Sequence, residues 1–302
     1  MSEAASGTTE SPTVGFVGLG HMGGNMAARF LDAGYVVHGT ARHREGAAWL
    51  VDKGMHWAET ARELAGRVDL ALTSLPDDEA VESVAGGPDG LLAGLGEGKV
   101  WIDLSTISPR VSRELSARAA EIGARMLDAP VSGSVPQVQS GTLTIMVGGE
   151  EAAYRRVEPI LRLLGTPTRI GASGQGLALK LAINISLAVQ MLAFSEGLLL
   201  AERDGVALDL AAGVMAESPI GSPMLKARVP LLLDLPQEAW FDVGLMRKDI
   251  DLALVMAKDL DTAAPAAGVA HDVLSKAVEQ GFEHRDIAAL LPTLGQMKPV
   301  DS

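Results

Sequence analysis

The chain of 302 residues contains no cysteine. That absence removes disulfide frameworks, thiolate nucleophiles, zinc ribbons and iron–sulfur clusters from consideration. Positive charge is also scarce: Lys and Arg total 25 against 38 Asp and Glu, a formal net charge of −13. The average surface therefore repels a polyanion, and nucleic acid is not an expected partner. The six histidines include no i,i+4 pair and no Glu between two of them at metalloprotease spacing, so no histidine-built metal site is expected. A bilayer-spanning segment needs about 20 apolar residues. The most apolar region, Leu181 to Ser195, is interrupted by Asn184, Ser186 and Gln190, and no membrane association is expected. The opening residues carry neither the basic n-region nor the apolar h-region of a secretion signal, which makes the cytoplasm the expected location.

At about 150 residues per domain, the length favours two well-filled domains. Residues 1–11 are mostly Ser, Thr, Glu and Ala without apolar period and read as a disordered leader. From 12 to 172, short β-rich runs (TVGFVGL, VVHGT, DLALTSL, KVWIDLS) alternate with helical segments. Two further strands, ARMLDAPVS and TLTIMVGG, flank a loop, and a helix then leads to a last strand, TPTRIG. Repeated βα units with continuously apolar strands imply a doubly wound parallel α/β sheet of roughly seven strands, a Rossmann domain. Past Gly174 and Gly176 the strand signals stop. A long helix over 177–203 and helical segments near 208–217, 243–260 and 265–280 make 173–296 an all-helical domain, with a tail at 297–302. Leu181, Leu187, Leu192 and Leu198 keep to no single stripe of the long helix. A helix apolar all round must be buried on all sides, so a second subunit is expected to cover it, in a homodimer or homotetramer.

One segment carries a specific chemical signal. The strand beginning at Thr13 runs into Gly18-Leu19-Gly20-His21-Met22-Gly23 and then into a helix. In this setting Gly18 permits a tight turn, Gly20 lets a pyrophosphate reach the backbone, and Gly23 lets helix and strand pack closely, with the helix N-terminus facing the diphosphate. About 20 residues on, an NAD enzyme places a carboxylate on the ribose hydroxyls. This chain has His38-Gly-Thr-Ala-Arg42-His-Arg44 there, with no carboxylate before Glu45. Arg42 and Arg44 suit a 2′-phosphate, which favours NADP over NAD.

Four motifs occur in order: the glycine loop, Asp128-Ala-Pro-Val-Ser-Gly-Ser134 running into Gly141-Thr-Leu-Thr-Ile-Met-Val-Gly-Gly149, Gly171-Ala-Ser-Gly-Gln-Gly176 followed by Lys180 and Asn184, and Lys248-Asp249-Ile-Asp-Leu-Ala253. Over about residues 13–295 this set resembles the β-hydroxyacid dehydrogenase family, which includes 3-hydroxyisobutyrate dehydrogenases and glyoxylate/succinic semialdehyde reductases. The resemblance implies reversible hydride transfer between a nicotinamide and the carbonyl of a small carboxylate, with Lys180 as general acid/base. An ammonium in hydrogen-bond reach neutralises and protonates a developing alkoxide. Asn184, one helical turn on, shares its face and orients lysine or substrate.

The resemblance further implies that Ser132 and Gly133 bind the substrate carboxylate. Ser134 stands where the family usually has a second glycine, and is expected to narrow the pocket or add a hydrogen bond. Leu75 and Pro76, with Ser105 and Thr106, end two strands, where open α/β sheets place ligands, and are expected to flank the nicotinamide ribose. Lys248 is expected to reach the cofactor or active-site backbone. Imine reductases share this fold but usually replace the lysine, and a non-catalytic NADP-binding sensor is expected to lose Lys180 or Asn184. Both residues are present. Side chains around Met215, Met224 and Phe241 are expected to select the substrate.

Overall fold

The computed structural model describes residues 11–298. Apart from Ser11, Met297 and Lys298, the leader and tail expected at the two ends lie outside the described residues. The chain divides into two compact units, one ending at Leu177 and the other beginning at Ala178.

Unit 1 contains nine strands among the described residues: β1 (Val14–Val17), β2 (Val37–Thr40), β3 (His56–Trp57), β4 (Leu70–Thr73), β5 (Val100–Asp103), β6 (Arg125–Asp128), β7 (Val131–Ser132), β8 (Leu143–Gly148) and β9 (Gly165–Gly171). The first six run parallel in the order β3-β2-β1-β4-β5-β6, the Rossmann order. β8 then pairs antiparallel with β6 and β7 and parallel with β9. β1, β4 and β5 are buried at every position, as strands covered on both faces must be. Alternate residues serve opposite faces. Phe16, Leu72 and Ile102 join one core with Met26 and Phe30, whereas Val17, Ala71 and Trp101 join another with Leu64 and Leu115.

The covering helices are α1 (His21–Asp32), α2 (Ala48–Asp52), α3 (Ala61–Arg67), α4 (Asp78–Ala85), α5 (Leu91–Gly94), α6 (Pro109–Glu121), α7 (Val135–Ser140) and α8 (Glu151–Leu161). Their starts are written in side chains: Thr60, Asp77 and Ser108 accept the N–H of Glu63, Ala80 and Val111, satisfying amides that have no partner inside the helix. The expectation of about seven strands is corrected to nine. Pro130 has no N–H for a ladder, and the single expected strand over 124–132 splits into β6 and β7. The expected loop before β8 contains α7.

Unit 2 is helical, as expected. It takes most of α9 (Gln175–Arg203) and adds α10 (Leu208–Glu217), α11 (Pro223–Leu233), α12 (Val243–Asp259), α13 (Pro265–Glu279) and α14 (Leu290–Gly295). α11 and α14 carry no counterpart in the sequence reading, and α9 starts two residues earlier than expected. Met191, Phe194 and Leu198 of α9 meet Met246, Leu274 and Leu290 in one core. α9 has the length and apolarity of a spanning helix, yet it also carries buried Lys180 and Asn184. Within one chain it is not buried on all sides: Leu200 is 76% exposed, as are Leu210 (60%) and Val214 (61%) on α10.

Candidate functional site

The glycine loop links β1 to α1 at the C-terminal end of the sheet. Gly18 has φ +90, and a Cβ there would meet the Ser74 carbonyl oxygen at 2.3 Å. A Cβ at Gly23 would stand 2.1 Å from the Gly18 carbonyl oxygen. Both glycines are therefore demanded by the protein's own packing. Gly20 differs. Its φ of −71 suits any residue, and a Cβ there would meet nothing within 4 Å. Open space at an exposed helix N-terminus is what a bound pyrophosphate requires of this position, and the loop fits the diphosphate of a dinucleotide. Leu19 is buried, Met22 half-buried and His21 exposed.

Beyond β2, Arg42 is exposed and makes no ion pair among the described residues. Arg44 does: its guanidinium lies 5.4 Å over the Trp57 ring and pairs with Glu59 at 3.4 Å. The carboxylate missing from the end of β2 is thus supplied to Arg44 from after β3, a relation that sequence spacing does not reveal.

The loops after β4 and β5 are tied together. Leu75 donates its N–H to Ser105 Oγ at 2.9 Å, and Ser105 donates its own N–H to Asp103 Oδ1 at 3.1 Å. The Thr73 hydroxyl donates to the same oxygen at 2.7 Å and accepts from the Trp101 indole N–H. Asp103 is fully buried, and burial pushes its carboxyl up. Pro76 is exposed, and Thr106 is half-buried.

Ser132 ends β7, and Gly133 follows at φ +132, where a Cβ would press on Leu143 and Gln137. Ser134 stands at the N-cap of α7 in a capping box, its N–H donated to Gln137 Oε1 at 2.8 Å. The departure from the family's second glycine therefore starts a helix. Two open cavities of unit 1, about 490 and 580 Å³ and meeting at Arg125 and Glu150, are lined by residues at the opposite strand ends and by none of these loops.

Unit 2 brings together Lys180, Asn184 and the Lys248-Asp249 pair. Lys180 Nζ donates to Asn184 Oδ1 at 2.9 Å. Asn184 Nδ2 donates in turn to Asp249 Oδ2 at 2.5 Å, and Lys248 Nζ lies 2.9 Å from Asp249 Oδ1. The i,i+4 spacing aligns the first pair on α9, and α12 delivers Asp249 on its buried face. Asn184 and Asp249 are almost wholly buried, and Lys180 is 8% exposed. Burial lowers the Lys180 ammonium to about 8, with Asp249 pulling upward and Lys248 downward. An ordinary lysine holds its proton too tightly for acid/base exchange near neutrality. This one holds a proton that can be given and recovered. Asp249 was missed as a working residue, because the Lys-Asp dipeptide shows nothing of a partner 65 positions away.

Among the described residues, no group of three or more His, Asp or Glu side chains could hold a metal ion.

Comparison with known proteins matches residues 13–174 to the NAD binding domain of 6-phosphogluconate dehydrogenase and residues 174–294 to the NAD-binding domain of NADP-dependent 3-hydroxyisobutyrate dehydrogenase. The chain is 31% identical over 293 residues to 2-(hydroxymethyl)glutarate dehydrogenase of Eubacterium barkeri, covering 96% of this chain and 97% of that one. Among solved structures, Mycobacterium tuberculosis 3-hydroxyisobutyrate dehydrogenase with L-serine superposes with a TM-score of 0.83 at 32% identity, covering 94% of this chain and 99% of that one. An imine reductase from Myxococcus stipitatus in complex with NADP+ shares the fold at 20% identity, with a TM-score of 0.64 over 94% of this chain and 100% of that one.

Proposed function

Because the chain belongs to the β-hydroxyacid dehydrogenase family, and is thereby a nicotinamide-dependent oxidoreductase of small hydroxyacids, we propose that it reduces a semialdehyde acid with NADPH, using Lys180 as the proton donor. The observation that carries this reading is the buried chain Lys180–Asn184–Asp249.

A bound dihydronicotinamide supplies the hydride. The residues of this chain manage the rest. As the carbonyl oxygen gains negative charge, Lys180 Nζ donates a hydrogen bond to it and then the proton, leaving a neutral amine and a hydroxyacid. Asn184 Oδ1 accepts one N–H of Lys180 and limits the directions in which the others point. Asp249 accepts the Asn184 amide N–H, so that the amide turns its oxygen, not its nitrogen, toward the lysine. The Ser132 hydroxyl and the Ser132–Gly133 backbone are assigned to the substrate carboxylate. Leu75, Pro76 and Thr106 are assigned to the nicotinamide ribose, and Lys248 to the active-site backbone.

The preference for NADPH rests on the free guanidinium of Arg42 and the absence of a carboxylate at the end of β2. A charge-assisted hydrogen bond is worth about 1.5–3 kcal/mol. Arg42→Ala is therefore expected to weaken NADPH binding roughly 10- to 100-fold and leave NADH nearly unchanged, as read by fluorescence titration with each cofactor. Equal losses for both would make Arg42 structural. A panel of semialdehyde acids, hydroxyacids and a cyclic imine, followed by NADPH absorbance, tests the substrate class, and preferential turnover of the imine would overturn it.

The exposed Leu200, Leu210 and Val214 support a homo-oligomer in which a second copy covers them, since apolar surface gains about 25 cal/mol per Å² on burial. Sedimentation at micromolar protein is expected to show a dimer or larger. A single species at the 31.4 kDa chain mass would contradict this.

A further inference from the structure

Asp128 ends β6 beside its in-register neighbour Asp103 on β5, and its side chain is only 1% exposed. A buried carboxylate needs partners, and here they are backbone. Oδ1 accepts the Gly174 N–H at 2.7 Å and Oδ2 the Leu177 N–H at 3.0 Å. These amides stand at the start of α9, where the first N–H groups of a helix have no partner within it and the helix dipole is positive. One carboxylate therefore supplies both hydrogen bonds and charge where the longest helix begins.

Two glycines make room for this arrangement and a third turns the chain into it. A Cβ at Gly148 would lie 2.5 and 2.6 Å from the two carboxylate oxygens. One at Gly176 would lie 2.9 Å from Oδ2 and 2.3 Å from the Met146 carbonyl oxygen. Gly174 turns the chain at φ +81. None of the three belongs to the dinucleotide loop: the carboxylate demands Gly148, it shares the demand for Gly176 with the Met146 carbonyl, and Gly174 is required by its own backbone angle and by Arg113 and Pro109. Burial pushes the Asp128 carboxyl up, and the amides of Gly174 and Leu177 pull it down, so the hydrogen bonds are what make charge tolerable there.

We propose that Asp128 is a positioning residue for the reaction, holding the first turn of α9 in place and thereby the pitch and burial of the turn that carries Lys180. Leu177 and Lys180 are three residues apart on one continuous helix, so a first turn that frays admits water to the lysine as well. The inference rests on Lys180 being the proton donor.

The test is Asp128→Asn. Asparagine keeps one acceptor for Gly174 but turns an NH₂ group toward the Leu177 N–H, which breaks the second bond. Cofactor affinity is expected to stay, because the dinucleotide loop is untouched, while kcat falls by up to ~10²-fold, the cost of a small misplacement remote from the chemistry. The ionisation seen in kcat/KM is expected to move from near 8 toward the ordinary lysine value of 10.5 as burial is lost. A purely structural role would lower thermal stability without moving that ionisation, and an unmoved ionisation with unchanged kcat would overturn the proposal. A wild type lacking any ionisation near 8 would instead overturn the assignment of Lys180. Should Asp128→Asn not fold, hydrogen exchange of the wild type decides. The Leu177 amide is expected to be protected like those of Ala188 and Met191 within α9, and exchange at the rate of a frayed helix end would refute the clamp.

Discussion

Lys180→Ala is expected to lower kcat for semialdehyde reduction by ~10²–10⁴-fold, the range lost with a general acid, while NADPH binding survives. The reason lies in the local energetics. Burial brings the ammonium down to about 8, so at neutral pH the group is mostly protonated and yet its proton is mobile. Arginine is not expected to rescue the variant, because a guanidinium stays protonated throughout this range. The same group leaves a signature in stability. Its folded-state value lies below the ordinary 10.5, so between about 8 and 10.5 the unfolded chain binds the extra proton and the fold gains stability as pH rises. That gain is expected to vanish in Lys180→Ala, as followed by denaturant unfolding across the window.

The second large effect concerns the cofactor loop. Gly20→Val is expected to leave the melting temperature almost unmoved, because the backbone angles suit any residue and no protein atom lies within 4 Å of the new Cβ position. NADPH affinity is expected to fall at least ~10²-fold, since losing two charge-assisted hydrogen bonds to the pyrophosphate costs about 3 kcal/mol or more. Gly23→Val offers the contrast: with the Gly18 carbonyl oxygen 2.1 Å from its Cβ position, it is expected to unfold the loop as well. Titration calorimetry and thermal denaturation on the two variants separate the roles.

Much of this was legible in the order of residues. The short, largely apolar runs that became β1, β4 and β5 alternate with helical segments and so read as covered strands, and the glycine loop lay between a strand and a helix where its chemistry needs it. Lys180 and Asn184 share a helix face, and so could be paired from spacing alone. Two-residue strands such as β3 and β7 show no periodicity to detect. Helix α7 escaped because a six-residue helix shows little of a 3.6-residue period, although Ser134 with Gln137 three residues later is a capping-box signal that marks its start. Helix α11 announced itself through Ser222 before Pro223, but Pro230 within it broke the pattern. What no local pattern conveys is partnership over distance. Asp249 reaches Asn184 across 65 positions and Asp128 reaches Gly174 across 46, contacts made only when the units have folded.

The central claim, that Lys180 exchanges a proton with the substrate oxygen, is tested most directly by kcat/KM for semialdehyde reduction measured against pH from about 6 to 10 in the wild type and Lys180→Ala. Reduction consumes the protonated amine. The wild-type profile is therefore expected to be level in acid and to fall through a single ionisation near 8, with hydroxyacid oxidation rising through the same value, while the residual rate of the variant shows no such break. A wild-type profile that stays flat through 8, or an identical break in the variant, would contradict the account.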